Sequence, residues 1–128
     1  MNSRLLLSAS AAFLALTGGV AFILPQELLA HFGAAPTEAA VVFVEMMGGV
    51  YIGFAMLNWM ARGNPIGGIY SRPVAVGNFT HFFAVAIVLL KQLMVTAYPA
   101  EWGIGAALYS VFAAGYGFLV FGPGPADR

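Results

Sequence analysis

The chain has no cysteine. Disulfides, thiolate metal sites and cysteine nucleophiles are therefore excluded. Charge is almost as scarce. Five Lys and Arg and five Asp and Glu make up 8% of the 128 residues, against roughly 25% in soluble domains. The formal net charge is zero, so there is no basic footprint for a nucleic acid. Neither P-loop nor Rossmann glycine spacing is present, and Gly63, Gly67 and Gly68 read as turn residues rather than a phosphate cradle.

What the chain has instead is apolar mass, 61% of its residues. A soluble globule of this length could not hide so much apolar surface from water, but lipid can take the place of water. Four runs, at about 5–24, 39–60, 74–93 and 103–121, carry this mass. A helix rises ~1.5 Å per residue and must cross ~30 Å of hydrocarbon, so ~20 residues suffice. The first three runs reach that length and the fourth lies near the lower limit. Open strands in lipid leave backbone groups unpaired at several kcal/mol each. The expected fold is thus all-α, a single up-down-up-down four-helix membrane bundle over residues 1–121 with a tail at 122–128. The first run follows Arg4, as a signal peptide would. It exceeds the usual ~7–15 apolar residues and leads into Pro25-Gln26-Glu27, so it is read as a retained span.

The few charges orient the bundle. Arg4, Arg62, Arg72 and Arg128 flank the spans at one end, while Glu27, Glu38 and Glu101 lie in the other connections. Positive residues concentrate in cytoplasmic loops, which puts both termini inside. Lys91 is the exception, and its long side chain can snorkel to the interface. Trp59 and Tyr70 near the inner surface, and Tyr98 and Trp102 near the outer one, form the expected aromatic belt. A short interfacial helix stopped by Gly33 is expected after Pro25. Pro73 suits the first position of the third span.

Glu45 is the one formal charge left deep within a span, about 10 Å from its outer end. Burying it in lipid demands a partner. Gly49 and Gly53 extend its ridge at intervals of four and form a G-x-x-x-G pattern expected to pack helices. On the third span, Asn78, His81, Val85 and Gln92 share a face. Histidine is the side chain that most readily exchanges a proton near neutrality. His81 and Glu45 differ in depth by roughly 8 Å, a gap that Tyr51, a water or a ligand could bridge. Tyr109 and Tyr116, seven apart, share a face of the fourth span, where aromatic packing is favoured over hydroxyls lining a cavity. Two small-residue stripes, Ser8, Ala11, Ala15 and Gly18, and Ala107, Ser110, Ala114 and Gly117, read as packing seams. Asn58 and Trp59, followed by Arg62, read as an interface anchor. One histidine per span argues against a metal or haem site, and no cofactor is expected.

The four-span layout, with Gly48-Gly49-Val50-Tyr51 leading into Asn58-Trp59 and a basic inner loop, resembles small uncharacterised bacterial inner-membrane proteins of DoxX-like layout. That resemblance implies a bacterial inner membrane and no particular activity. The residues themselves admit three readings. The first is a non-catalytic subunit or assembly partner, in a homo-oligomer or larger membrane complex. The second is a proton- or small-molecule-binding bundle with a cavity lined by Glu45, His81, Asn78, Tyr51 and Tyr109. The third is a membrane enzyme on a lipid-soluble substrate, with Glu45 and His81 as acid–base pair. It is the least favoured, since no third catalytic group accompanies them.

Overall fold

The computed structural model describes residues 2–64, 71–95, 97 and 99–123. Five helices and no strand occur among them: α1 (Ser3–Ile23), α2 (Pro25–His31), α3 (Glu38–Ala61), α4 (Ser71–Val95) and α5 (Ala100–Phe121). All but α2 are long and apolar enough to cross a membrane. The described residues thus form an all-helical fold with four membrane-length helices. Tyr70, Tyr98, the Gly67-Gly68 turn, Asp127 and Arg128 lie outside the described residues.

Local chemistry explains where the helices begin and end. The Asn2 side-chain oxygen accepts from the backbone N–H groups of Arg4, at 3.1 Å, and Leu5, at 3.3 Å. It thereby satisfies donors that have no acceptor within the first turn. Thr37 does the same for α3, its hydroxyl accepting from Ala40 N–H at 3.2 Å. Pro25 occupies the first turn of α2, where a missing N–H costs nothing. After His31 the chain closes as a Schellman motif. Ala34 N–H donates to Leu29 C=O at 2.9 Å, and Gly33 N–H to Ala30 C=O at 3.0 Å. Gly33 has φ +73°, a conformation that side chains rarely tolerate.

One boundary differs from the hydropathy reading. The last helix starts at Ala100 and has 22 residues, so it is long enough to span rather than marginal. Hydropathy stops at polar Glu101, whereas a carboxylate in the first turn favours the helix N-terminus. In α4 (Ser71–Val95) Pro73 stands among the first described residues of the helix.

The contacts divide the chain into two compact units, Leu7–Arg62 and a second made of Met1–Leu6 with Gly63–Arg128. In the first unit α1 and α3 run antiparallel, because Ser10 meets Asn58 whereas Gly18 meets Gly48 and Ile52. At the Gly18–Gly48 crossing the backbones themselves touch. A Cβ on Gly18 would fall 2.7 Å from the Tyr51 Cβ and 2.9 Å from the Gly48 carbonyl oxygen. A Cβ on Gly48 would fall 2.7 Å from Phe22 N and 2.8 Å from the Gly18 carbonyl oxygen. The packed face of α1 is Leu7, Ser10, Ala11, Leu14, Gly18 and Ala21. Of the stripe expected there, Ala11 and Gly18 belong to it and Ala15 is exposed.

In the second unit α4 and α5 pack antiparallel, with Leu89 near Gly105, Phe82 against Tyr109 and Tyr116, and Phe79 against Phe121. Large rings fill this seam. Phe82 and Tyr116 are wholly buried and stack with centroids 5.7 Å apart. The seam of α5 is Ala106, Tyr109, Ala113 and Tyr116. This corrects the expected small-residue stripe, of which Ala107 and Ala114 are exposed. Tyr109 and Tyr116 share a face, as their spacing requires, and bury their rings.

Candidate functional site

The expected site residues divide between the two units. Glu45 and Tyr51 belong to Leu7–Arg62; Asn78, His81 and Tyr109 belong to the other unit.

Glu45 is the eighth residue of α3, about 10 Å along the helix from Glu38. It is half-buried, and no hydrogen bond or ion pair to it occurs among the described residues. Gly48, on the adjoining side, is pressed against α1. Gly49 and Gly53 do not share that seam. Both are exposed, and a Cβ on either meets nothing within 4 Å. The expected ridge is therefore open at Gly49 and Gly53, and the close helix approach to α1 is made by Gly48 instead. The physical reason is angular: one residue shifts a helix face by about 100°, enough to turn Gly49 out of the seam that Gly48 occupies. Tyr51 lies about 120° around α3 from Glu45 and its Cβ faces Gly18. It does not continue the Glu45 ridge.

His81 is half-buried on α4, with its Nε2 atom buried. Its ring meets Tyr109 at 5.9 Å and Phe82 at 5.1 Å, both edge-on. His81 and Tyr109 thus meet inside an aromatic cluster that continues through Phe82 to Phe112, at 4.8 Å, and Tyr116. Asn78, one turn before His81, is fully buried and donates from Nδ2 to the Val74 carbonyl at 2.8 Å. That bond serves its own helix. Along the same pair runs an apolar groove of about 340 Å³, lined by Phe79, Phe83, Ala86, Ile87, Ala113 and Gly117. The one hydroxyl on its wall, Ser110, donates to Ala106 C=O at 2.7 Å, so it has no proton left to offer a ligand.

Sequence reading missed a third polar feature. Asn58 is fully buried rather than interfacial, and its Nδ2 donates to the Ser10 hydroxyl at 3.0 Å. The hydroxyl in turn donates to Leu7 C=O at 3.1 Å. Such interhelical bonds contribute about 0.6–2 kcal/mol in membranes. The spacing of Gly48, Ala55 and Asn58, close to whole turns of one face, was the available signal. Trp59 does meet Arg62, one turn on. The guanidinium lies 3.5 Å over the indole ring and donates to the Trp59 carbonyl. This arrangement suits an interfacial anchor.

No group of three or more His, Asp or Glu residues able to hold a metal occurs among the described residues. His31 is exposed, its ring 5.2 Å from that of Phe32. Compared with family models, curated proteins and solved structures, the chain matches none.

Proposed function

We propose that the chain is a non-catalytic membrane subunit that acts by pairing, through the Glu45–Gly49–Gly53 face of α3, with another transmembrane helix. The observation that carries this is Glu45, a carboxyl well inside a membrane-length helix with no partner among the described residues. Hydrocarbon offers it no hydrogen bond, so a partner from outside the chain relieves a cost of several kcal/mol. The surrounding surface suits a helix. Gly49 and Gly53 leave an open notch, and Val42, Met46, Met56 and Met60, all exposed, flank it on the same side of α3. Glycine notches let helix backbones approach, and flexible methionines adapt to what arrives.

The arginine bias favours a single orientation, both termini cytoplasmic, and the resemblance in layout favours a bacterial inner membrane. Cysteines introduced singly into this cysteine-free chain test the topology. Gly63→Cys should react with a membrane-impermeant thiol reagent only in inverted vesicles, and Ala35→Cys only in intact cells; the reverse pattern contradicts the orientation. The assembly reading is tested by extracting the chain in patches of its own lipid and measuring mass. A species heavier than the 13.4 kDa chain is expected, and a lone monomer contradicts the reading.

A second reading, a proton- or small-molecule-binding bundle, draws on the His81–Tyr109 contact. The rings of Phe82, Phe112 and Tyr116 pack in series beside those two, which favours a structural role. Ligand binding or ion flux in liposomes that is unchanged by His81→Ala removes this reading.

A further inference from the structure

We infer that the occupant of the α3 face is a second copy of this chain, docked as a parallel pair about a two-fold axis along the membrane normal. The inference rests on the assembly reading above and names its partner. Three observations lead to it.

The first is orientation. Arg4 begins α1, Arg62 follows α3 and Arg72 opens α4, so successive crossings gather these charges at one end. A one-sided arginine distribution gives every copy the same insertion direction. Two copies therefore present parallel α3 helices, with equivalent residues at equal depth.

The second is hydrogen-bonding complementarity. In a two-fold pair the same patch meets itself. Beyond Glu38, the first residue of the helix and on the same side, the patch holds one polar side chain, Glu45, a turn above Gly49. A carboxyl that carries a proton both donates and accepts. Two of them at one depth beside the axis therefore satisfy each other. A foreign helix would have to bring its own polar group to that depth, whereas a second copy supplies one by symmetry.

The third is shape. Gly49 and Gly53 are open, while the glycine that packs within the chain, Gly48, faces elsewhere. The notch is therefore free to accept an equivalent notch, in the right-handed crossing of about −40° typical of such motifs.

Cysteine cross-linking in native membranes tests the pair. Val42→Cys and Met56→Cys lie on the proposed face; Met47→Cys is exposed on nearly the opposite side of α3. On oxidation, the first two should give a disulfide-linked species of twice the chain mass, and Met47→Cys should stay monomeric. Adding Gly49→Leu should abolish the link. Glu45→Leu should reduce the dimer about tenfold at a fixed protein-to-lipid ratio, the size expected for losing the pair's two interhelical hydrogen bonds at their average strength in membranes. Glu45→Gln keeps both donor and acceptor and should retain the dimer. Equal cross-linking of Met47→Cys, or a Glu45→Leu variant that dimerises like wild type, overturns the inference. A heavier-than-monomer assembly without these homodimer links overturns the second copy and leaves the assembly reading standing. A monomeric mass with no link overturns both.

Discussion

Replacing Gly48 by leucine is expected to force α1 away from α3 and to cost about 3 kcal/mol or more of stability, the upper end of what overpacking normally costs. The penalty is large because of what the new atoms would strike. The nearest atoms to an added Cβ are the Phe22 backbone nitrogen, at 2.7 Å, and the Gly18 carbonyl oxygen, at 2.8 Å. Neither is the end of a side chain that can swing aside. Relief requires the helices to separate, and that lengthens the Asn58–Ser10 bond in the same seam. Gly18→Leu should behave alike, since its Cβ would lie 2.9 Å from the Gly48 carbonyl oxygen. Unfolding the protein from lipid–detergent micelles with a denaturing detergent reads the cost. A Gly48→Leu variant that unfolds at the wild-type midpoint would contradict the crossing.

The second large effect is expected in the aromatic seam. Phe82→Ala and Tyr116→Ala each empty a fully buried position. In lipid the unpacked helices keep their side chains in hydrocarbon, so the transfer from water contributes little. What remains is the cavity. Roughly 100 Å³ of lost ring at about 24 cal/mol per Å³ gives about 2 kcal/mol. Phe82 touches Tyr109, Phe112 and Tyr116, so its removal also loosens its neighbours. Met94→Ala, at a side chain 87% exposed, is the matched comparison and should fall within about 0.5 kcal/mol of wild type. Equal effects for Phe82→Ala and Met94→Ala would mean the seam is not where the stability resides.

These two seams show which parts of the structure the sequence carried openly. The four long helices were legible because twenty or so apolar residues in a row have few other uses. The end of α2 was legible because Pro25 and Gly33 each have a backbone reason to be where they are. Tyr109 and Tyr116 could be assigned to one face because residues seven apart stay on one side of a helix.

The packed faces of α1 and α3 were less legible, for one physical reason. In a soluble helix the buried side is the apolar side, but in these helices every side is apolar. The seam has to be read from size and polarity instead. Those cues are ambiguous where two glycines adjoin: Gly49 completes a G-x-x-x-G pattern, yet Gly48 is the residue against α1. Asn58 misled for a similar reason. Its place near the end of the helix suits an interfacial amide, and only its partner Ser10, 48 residues away, makes it a core residue. For Glu45 the depth was legible but the surroundings were not. A carboxyl in a span needs company, and whether that company is internal depends on a neighbour that composition cannot identify.

The division of α3 into an inward glycine and an outward pair is the centre of this account. Its most direct test sets Gly48→Leu beside Gly49→Leu, with unfolding midpoint and mass in native lipid measured on both. Gly48→Leu should lose stability in the monomer. Gly49→Leu should retain the monomer's stability and drop from the heavier species to a single chain. A Gly49→Leu variant that keeps the heavier mass, or one that unfolds as easily as Gly48→Leu, would contradict the account.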